Sequence, residues 1–328
     1  MSKLVFPHLT ARLSTVPTAA AGLALGLSSL GWCADQLFQQ QGKVQLAAAL
    51  LALPLLLAVV LKFLSAPRLL QQELAHPVAG SLLPVICMAT LVQSAALQQI
   101  AAAPATALWW LALIAHLSLL AGFVRHRLAH FAVTDLVPAW FIPPIGFVVA
   151  VLSAPASAPL WLLQTLAGAG LLVYLLMLPL MLYRLRRGNP LPAQQRPLLA
   201  ILAAPGSLTL SGLLCLPLAA TPTPVLLLLS AVALALTLRV WWQLPNLLSG
   251  SFNPAFAACT FPLVISATAL LKLSDFFAQH AVLQQLAELQ LRLAQLEFAV
   301  ALLVCSYVSL RYVLQALQVI QRDAARAV

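Results

Sequence analysis

The stretch Cys259-Thr-Phe-Pro-Leu-Val-Ile-Ser266 places a proline inside an uncharged, apolar run. Four prolines of this kind occur along the chain: Pro84, Pro144, Pro205 and Pro262. They are separated by 60, 61 and 57 residues. A proline in a helix interior removes one backbone hydrogen bond and costs about 3 kcal/mol. One such defect in each unit of similar length predicts a repeated element.

Counting back 60 residues from Pro84 reaches Ala24, which has no proline beside it but lies between Gly22 and Gly26. Glycine also weakens a helix interior. The chain is therefore predicted to contain five copies of one unit, each with a weak point in one helix. We expect these weak points to be Ala24 and the four prolines.

The composition excludes a soluble globular protein. The chain has 328 residues, of which 62% are hydrophobic and only 7% are charged, and its mean hydropathy is +1.00. Charged residues normally make up about 25% of a globular chain. The long runs without charge each hold one or two helices of about 20 residues, the length that spans a bilayer. The fold class is therefore an all-α polytopic membrane protein.

Proline, glycine and charged residues divide the chain into ten predicted transmembrane helices within a single transmembrane domain, residues 1–328. The spans are 13–33, 44–63, 78–98, 105–124, 136–153, 159–183, 197–219, 224–243, 254–273 and 291–313. The apolar start, followed by Trp32 and Cys33, does not fit a cleaved signal peptide, so it is assigned to the first span.

The basic residues predict the orientation. Of the 17 Lys and Arg residues, all but Lys43, Lys272 and Arg292 fall at the termini or in the connections on one side. Basic residues accumulate on the cytoplasmic side of bacterial and other membranes. Both termini are therefore predicted to be cytoplasmic, in a bacterial inner membrane. The net charge of +10 is explained by topology, so no nucleic-acid partner is expected.

Short connections join the spans into five helical hairpins, and the odd-numbered span of each hairpin holds the weak point. We expect the odd spans to form an inner ring in quasi-fivefold order around a central pore, with the even spans outside. Backbone groups freed by a kink are costly in hydrocarbon but tolerated along a cavity. The odd spans lack carboxylates, which usually mark cation or proton sites. This absence favours an anion or a neutral solute.

Three motifs resemble one family. They are Phe252-Asn-Pro-Ala-Phe-Ala-Ala-Cys-Thr-Phe-Pro262, Pro138-Ala-Trp-Phe-Ile-Pro-Pro-Ile-Gly146 and His76-Pro-Val78. Together with the length and loop placement, they resemble the tellurite-resistance/dicarboxylate transporter family, whose relatives include the plant slow-type anion channels. The chain differs from the family at span 1, where Ala24 replaces a proline, and after Val78, where Ala79 and Gly80 replace a basic residue.

The resemblance implies a homotrimer in which each protomer has its own pore, formed by five inner helices. It also implies a phenylalanine that occludes the pore midway along the ninth helix, and Phe261 matches that position. On the same helical face, Thr268 is a candidate pore-lining residue. The other pore-lining candidates are Thr90, Ser207, Thr260 and Ser266, whose hydroxyls either bind an anion or bond to the helix backbone. Glu297 is expected to pair with Arg292 or Lys272.

The favoured function is transport of small inorganic or organic anions through a passive or weakly gated channel. The alternative is a carrier or exporter for C4-dicarboxylates or for oxyanions such as tellurite and sulfite. An enzyme is not expected, because no Asp, His, Glu or Ser pairs cluster at membrane depth. The five cysteines form no CxxC pair, and the histidines lack ligand spacing, so no metal or cofactor is expected.

Overall fold

The computed structural model describes residues 13–128, 131–217, 222–279 and 283–326. Within these ranges all regular structure is helical. The α-helices, numbered in chain order, are α1 (Ala20–Phe38), α2 (Lys43–Ser65), α3 (Pro67–Ala75), α4 (Ala79–Leu82), α5 (Pro84–Leu97), α6 (Ala102–Leu128), α7 (Ile142–Ile145), α8 (Val149–Leu152), α9 (Leu160–Arg187), α10 (Ala204–Leu214), α11 (Thr223–Leu247), α12 (Phe261–Ala278) and α13 (Gln284–Arg326). The 3₁₀ segments are Val133–Asp135, Pro138–Phe141, Gly146–Val148, Ala193–Ala203 and Pro254–Cys259.

Eight helical stretches in the described residues are long and apolar enough to cross a membrane. Two further segments overlap the predicted first and fifth spans but fall outside this set. Helix α1 carries Asp35 and Gln36 near its end, which lowers its hydropathy. The segment Pro138–Leu152 is shorter and is divided among two 3₁₀ turns and two single-turn helices.

The helices differ sharply in burial. The stretches Ala79–Leu97, Ala193–Leu214 and Pro254–Ala278 are between 72% and 89% buried inside the protein, whereas α2, α6, α9, α11 and α13 are only 28% to 39% buried. Helix α1 and Pro138–Leu152 are also mostly buried. We call these five buried stretches the inner segments and the other five the outer helices. The outer helices expose leucines such as Leu51 and Leu176, as expected for contact with lipid.

The inner segments contact one another in chain order and close a ring. Helix α1 packs against α5 and α12. Pro138–Leu152 packs against α5 and α10, and the ring is completed by contacts between α10 and α12. Each outer helix packs against the inner segment that precedes it in the chain.

The prolines lie where the helical hydrogen-bonding pattern changes. Pro84 is the first residue of α5, directly after the short helix α4, and Pro144 lies in the single turn α7. Pro205 and Pro262 fall in the first turns of α10 and α12, each of which follows a 3₁₀ segment. A proline in the first turn of a helix does not need its missing N–H. The cost expected for a helix interior is therefore largely avoided.

The expected weak point at Ala24 is not a break. Helix α1 is continuous from Ala20 to Phe38, and Ala24 is fully buried within it. A Cβ at Gly26 would lie 2.5 Å from Thr260 Cβ and closer still to the Thr260 hydroxyl, so the glycine permits close packing against the start of α12. In this first unit, the small residues bring two segments together and do not bend the helix.

The broken segment Pro138–Leu152 is supported by side chains of α6. Trp109 Nε1 donates a hydrogen bond to Ala150 O at 3.1 Å, and His116 Nε2 lies 3.0 Å from Pro143 O. Both side chains are fully buried. Backbone carbonyls that lose their helical partners in an apolar environment must find others. Helix α6 provides these donors, so the interruption of the inner segment is tolerated.

Candidate functional site

One cavity between the inner segments, which we call the vestibule, has a volume of about 560 Å³. All five inner segments contribute to its wall, whereas Lys62 is the sole lining residue from the outer helices within the described residues. Representative lining residues, one from each inner segment in chain order, are Leu25, Met88, Ile145, Leu208 and Phe261. The wall is mainly apolar, and its polar groups concentrate at one end.

That end of the vestibule, its mouth, contains a buried ion pair. Lys62 Nζ lies 2.8 Å from Glu73 Oε1 and also donates hydrogen bonds to Thr18 Oγ1 and Val16 O, both at 3.0 Å. The Thr18 hydroxyl donates to Glu73 Oε2 at 2.7 Å. The network joins α2, the end of α3 and the segment before α1. Because the charges are paired, the mouth carries little net charge from these two residues.

A second, much smaller cavity, which we call the chamber, lies beyond the vestibule and has a volume of about 20 Å³. The described residues that line it are Ser29, Trp32, Gln36, Val92, Val149, Leu152, Phe261, Ile265, Thr268 and Lys272. A cavity of this volume has room for roughly one or two water molecules. Its one charged lining residue is Lys272.

Phe261 is the residue that lines both cavities within the described part of the chain. It is the first residue of α12, and the residue is only 7% exposed. The preceding residue, Thr260, donates its hydroxyl hydrogen to Ala257 O at 2.7 Å and packs against Gly26. The change from 3₁₀ to α-helix therefore fixes the backbone that carries Phe261, the residue that borders both the vestibule and the chamber.

The residues at the proline junctions contribute unequally to the cavity wall. Pro205 and Pro262 line the vestibule. At the other two junctions the neighbours line it instead, with Val85 next to Pro84 and Ile145 next to Pro144. Ala24 lines neither cavity, although Gly22 and Leu25 on the same helix do.

Among the predicted pore-lining hydroxyls of the described residues, Thr268 lines the chamber, and the others line neither the chamber nor the vestibule. Four of the five hydroxyls donate to backbone carbonyls within three or four residues, as hydroxyls in membrane helices commonly do: Thr90, Ser207, Thr260 and Thr268. Ser266 lies on the other side of α12, where its hydroxyl is 2.9 Å from that of Thr237.

The expected pairing of Glu297 is wrong. Its carboxylate is buried and forms no ion pair within 4 Å with Arg292 or Lys272, and neither oxygen has a hydrogen bond of standard geometry. The Ser266 hydroxyl faces it without completing such a bond. Arg292 is exposed, because it lies five positions before Glu297, and residues at that spacing in an α-helix point to different sides. Glu297 occupies the buried face of α13 together with Ala294, Ala301 and Val308.

Two features of the site were missed by sequence reasoning: the mouth network and the chamber. The signal for the first was a lysine in the last turn of one span and a glutamate before the next, Lys62 and Glu73. The signal for the second was helical spacing, since Lys272 follows Phe261 by three turns of α12. No group of three or more His, Cys, Asp or Glu residues in the described chain is arranged to hold a metal ion.

An all-helical protein with membrane-length apolar helices and cavities between its most buried segments belongs to the class of polytopic membrane transporters and channels. Comparison with family models narrows this class. Residues 8–313 match the voltage-dependent anion channel family (SLAC1), so the chain belongs to this family. Members of this family are channel-like membrane proteins that transport anions, and they are not enzymes. No individual curated protein matches the chain with significance.

Proposed function

We propose that the protein conducts small anions across a bacterial inner membrane through the vestibule and the chamber, and that Phe261 occludes this path. The observation that carries the proposal is the position of Phe261, which borders the cavity on each side. An aromatic ring in an apolar constriction blocks an ion because the constriction offers no replacement for hydration water. Its displacement would join the two cavities.

The proposed pore is surrounded by ten membrane-spanning segments arranged as five hairpins in quasi-fivefold order. In this proposal, α1 is the first span and Pro138–Leu152 is the fifth, and together with the eight membrane-length stretches they make ten. The closed ring of contacts among the inner segments and their high burial support it. So does the vestibule, to whose wall all five inner segments contribute.

The charge of the path supports an anion as the conducted species. Lys62 and Lys272 line it, and its one lining carboxylate in the described residues, Glu73, is paired with Lys62. Asp35 and Asp275 lie on inner segments but line neither cavity. A path with an excess of positive side chains favours anions over cations.

The assembly and orientation follow from the same proposal. The exposed leucines of the outer helices suit contact with lipid or with neighbouring copies. We propose a homotrimer with one pore in each protomer and with both termini in the cytoplasm. The vestibule would then open to the cytoplasm, because its mouth lies next to the segment that precedes α1.

The test is the anion conductance of Phe261→Ala in a planar bilayer. We expect an increase of about tenfold or more, which corresponds to a barrier lowered by roughly 1.4 kcal/mol. The matched control is Phe277→Ala, which removes the same ring from a fully buried site on α12 that lines neither cavity. An unchanged conductance of correctly assembled Phe261→Ala would refute the proposed occlusion.

The same purified protein separates the channel from a carrier. A linear current–voltage relation in the Phe261→Ala variant supports the channel. Saturable uptake into proteoliposomes with counterflow of a C4-dicarboxylate, tellurite or sulfite would instead support a carrier or exporter. An ion-substitution series then identifies the preferred anion.

A further inference from the structure

The chamber is bordered by a lysine in line with the occluding phenylalanine. Phe261, Ile265, Thr268 and Lys272 follow one another on α12 at helical spacing and share one face of the helix. All four line the chamber. Lys272 therefore belongs to the same wall as Phe261, on the far side of the phenyl ring from the vestibule.

The facing wall of the chamber supplies neutral donors. Ser29, Trp32 and Gln36 share one face of α1 and also line the chamber. Their side chains carry a hydroxyl, an indole N–H and an amide NH₂, all of which donate hydrogen bonds. The remaining wall is apolar, with Val92, Val149 and Leu152 among its residues. An anion inside would meet donors on two sides and exclude much of its water.

The charge of Lys272 is not neutralised by an ion pair. The ion pair found among the described residues is the one between Lys62 and Glu73, on the other side of Phe261. Asp275, one turn further along α12, interacts electrostatically with Lys272 but is exposed and lies beyond ion-pairing distance. Neither Asp275 nor Glu297 lines the chamber. The chamber therefore presents one positive charge without a carboxylate in its wall.

The size of the chamber selects the ligand. A volume of about 20 Å³ has room for roughly one or two waters, so a halide or nitrate ion would have to displace that water and widen the chamber slightly, whereas a C4-dicarboxylate is far too large. Electrostatic attraction is stronger in such a confined, poorly hydrated site than in bulk water. A single ammonium group with neutral donors opposite matches a single monovalent anion.

We propose that the chamber is a binding site for one small monovalent inorganic anion, held by Lys272 together with the donors of α1. The proposal rests on the function proposed above, since it makes the chamber the site where an anion pauses after passing Phe261. Lys272 would then determine which anions are conducted. Large or divalent anions would be disfavoured by the size and the single charge of the site.

The binding test uses bromide as the probe in crystals of the full-length protein. We expect an anomalous bromide peak within contact distance of Lys272 Nζ in the wild type and in the control Lys43→Gln. Lys43 is an exposed lysine that lines neither cavity and is predicted to lie on the same side of the membrane. The peak should persist in Lys272→Arg and disappear in Lys272→Gln. A wild-type chamber without bromide, or an equal peak in Lys272→Gln, would overturn the proposal.

The conduction test is carried out in the Phe261→Ala background. Adding Lys272→Gln should lower bromide conductance about tenfold, which equals about 1.4 kcal/mol, while Lys43→Gln and Lys272→Arg should leave it near the parent value. If bromide binds in the chamber but the Phe261→Ala variant conducts no anions, the binding site is supported and the proposed channel is refuted. If Lys272→Gln leaves the conductance unchanged and no bromide is bound in the chamber, the channel is supported and the binding site is refuted.

Discussion

The ion pair at the mouth of the vestibule links stability to conduction, and Glu73→Gln separates the two effects. The substitution keeps an acceptor oxygen for Lys62 but removes the negative charge. Lys62, which is buried, would keep its hydrogen bonds to Val16 O and Thr18 Oγ1, both 3.0 Å long. The result is a buried ammonium group with neutral partners beside the conduction path.

The magnitude follows from the burial of the pair. Breaking a fully buried ion pair by removing one partner costs about 3–5 kcal/mol. Here the Glu73 side chain is 18% exposed, and Lys62 keeps two neutral acceptors. We therefore expect Glu73→Gln to lower the free energy of unfolding by about 1–3 kcal/mol. Lys62→Met in addition should recover most of this loss, because an apolar side chain leaves no unpaired charge.

The conductance should change in the opposite direction. In the Phe261→Ala background, the unpaired Lys62 of Glu73→Gln would attract anions to the mouth and raise conductance at low salt. The gain should vanish in about 1 M salt, where the Debye length is about 3 Å. The double variant Lys62→Met/Glu73→Gln should show no gain.

Two assays on the same preparations decide the outcome. Denaturant unfolding in detergent micelles, followed by tryptophan fluorescence, measures stability, and bilayer recording measures conductance at two salt concentrations. The reasoning is refuted if Glu73→Gln is as stable as the wild type. It is also refuted if the double variant is less stable than Glu73→Gln, since that would mean that the unpaired lysine is not the source of the cost.

Two predictions concern the packing that supports the pore. Gly26→Ala should lower the free energy of unfolding by about 1–3 kcal/mol, because the new Cβ would collide with Thr260, whereas Gly168→Ala, with open space around it, should be neutral or slightly stabilising. Equal effects at the two glycines in denaturant unfolding would contradict the close contact. His116→Leu should cost about 1–3 kcal/mol by leaving Pro143 O without its partner, and His116→Gln should retain part of that hydrogen bond. If thermal unfolding in detergent gives the same midpoint for both His116 variants and the wild type, the hydrogen bond is not stabilising.

The positions of the helix junctions could be predicted from the sequence because they depend on local chemistry. A proline constrains its own backbone and removes its own donor, so the periodic prolines point to the places where the regular α-helix is interrupted or begins anew. Ala24 could not be interpreted in this way. The glycines beside it act through a contact with Thr260, which is more than 200 residues away in the chain. In the sequence, a glycine that permits two segments to pack closely looks the same as a glycine that makes a helix flexible.

The charged groups of the site were harder to predict than the junctions. Lys62 and Glu73 meet because a break after α2 turns α3 back toward the segment before α1, and this turn is not encoded by spacing alone. Glu297 was assigned a partner by nearness in sequence. Helical periodicity places it instead with Ala294 and Ala301 on the buried face of α13, and that pattern was available from the sequence. Periodicity is therefore the better guide to the partner of an intramembrane charge.

The inner segments reach the same geometry by two different physical routes. In four of them a break in the regular α-helix places a proline in a first helical turn, where the missing N–H carries no cost, and a residue at or next to that proline lines the vestibule. In the first segment the helix is unbroken, and glycine removes a side chain where α1 meets the start of α12. Both routes place small or interrupted backbone where an inner segment borders the vestibule or the residue before Phe261. A proline at a helix junction is therefore one of two ways in which an inner segment approaches the cavity that Phe261 lines.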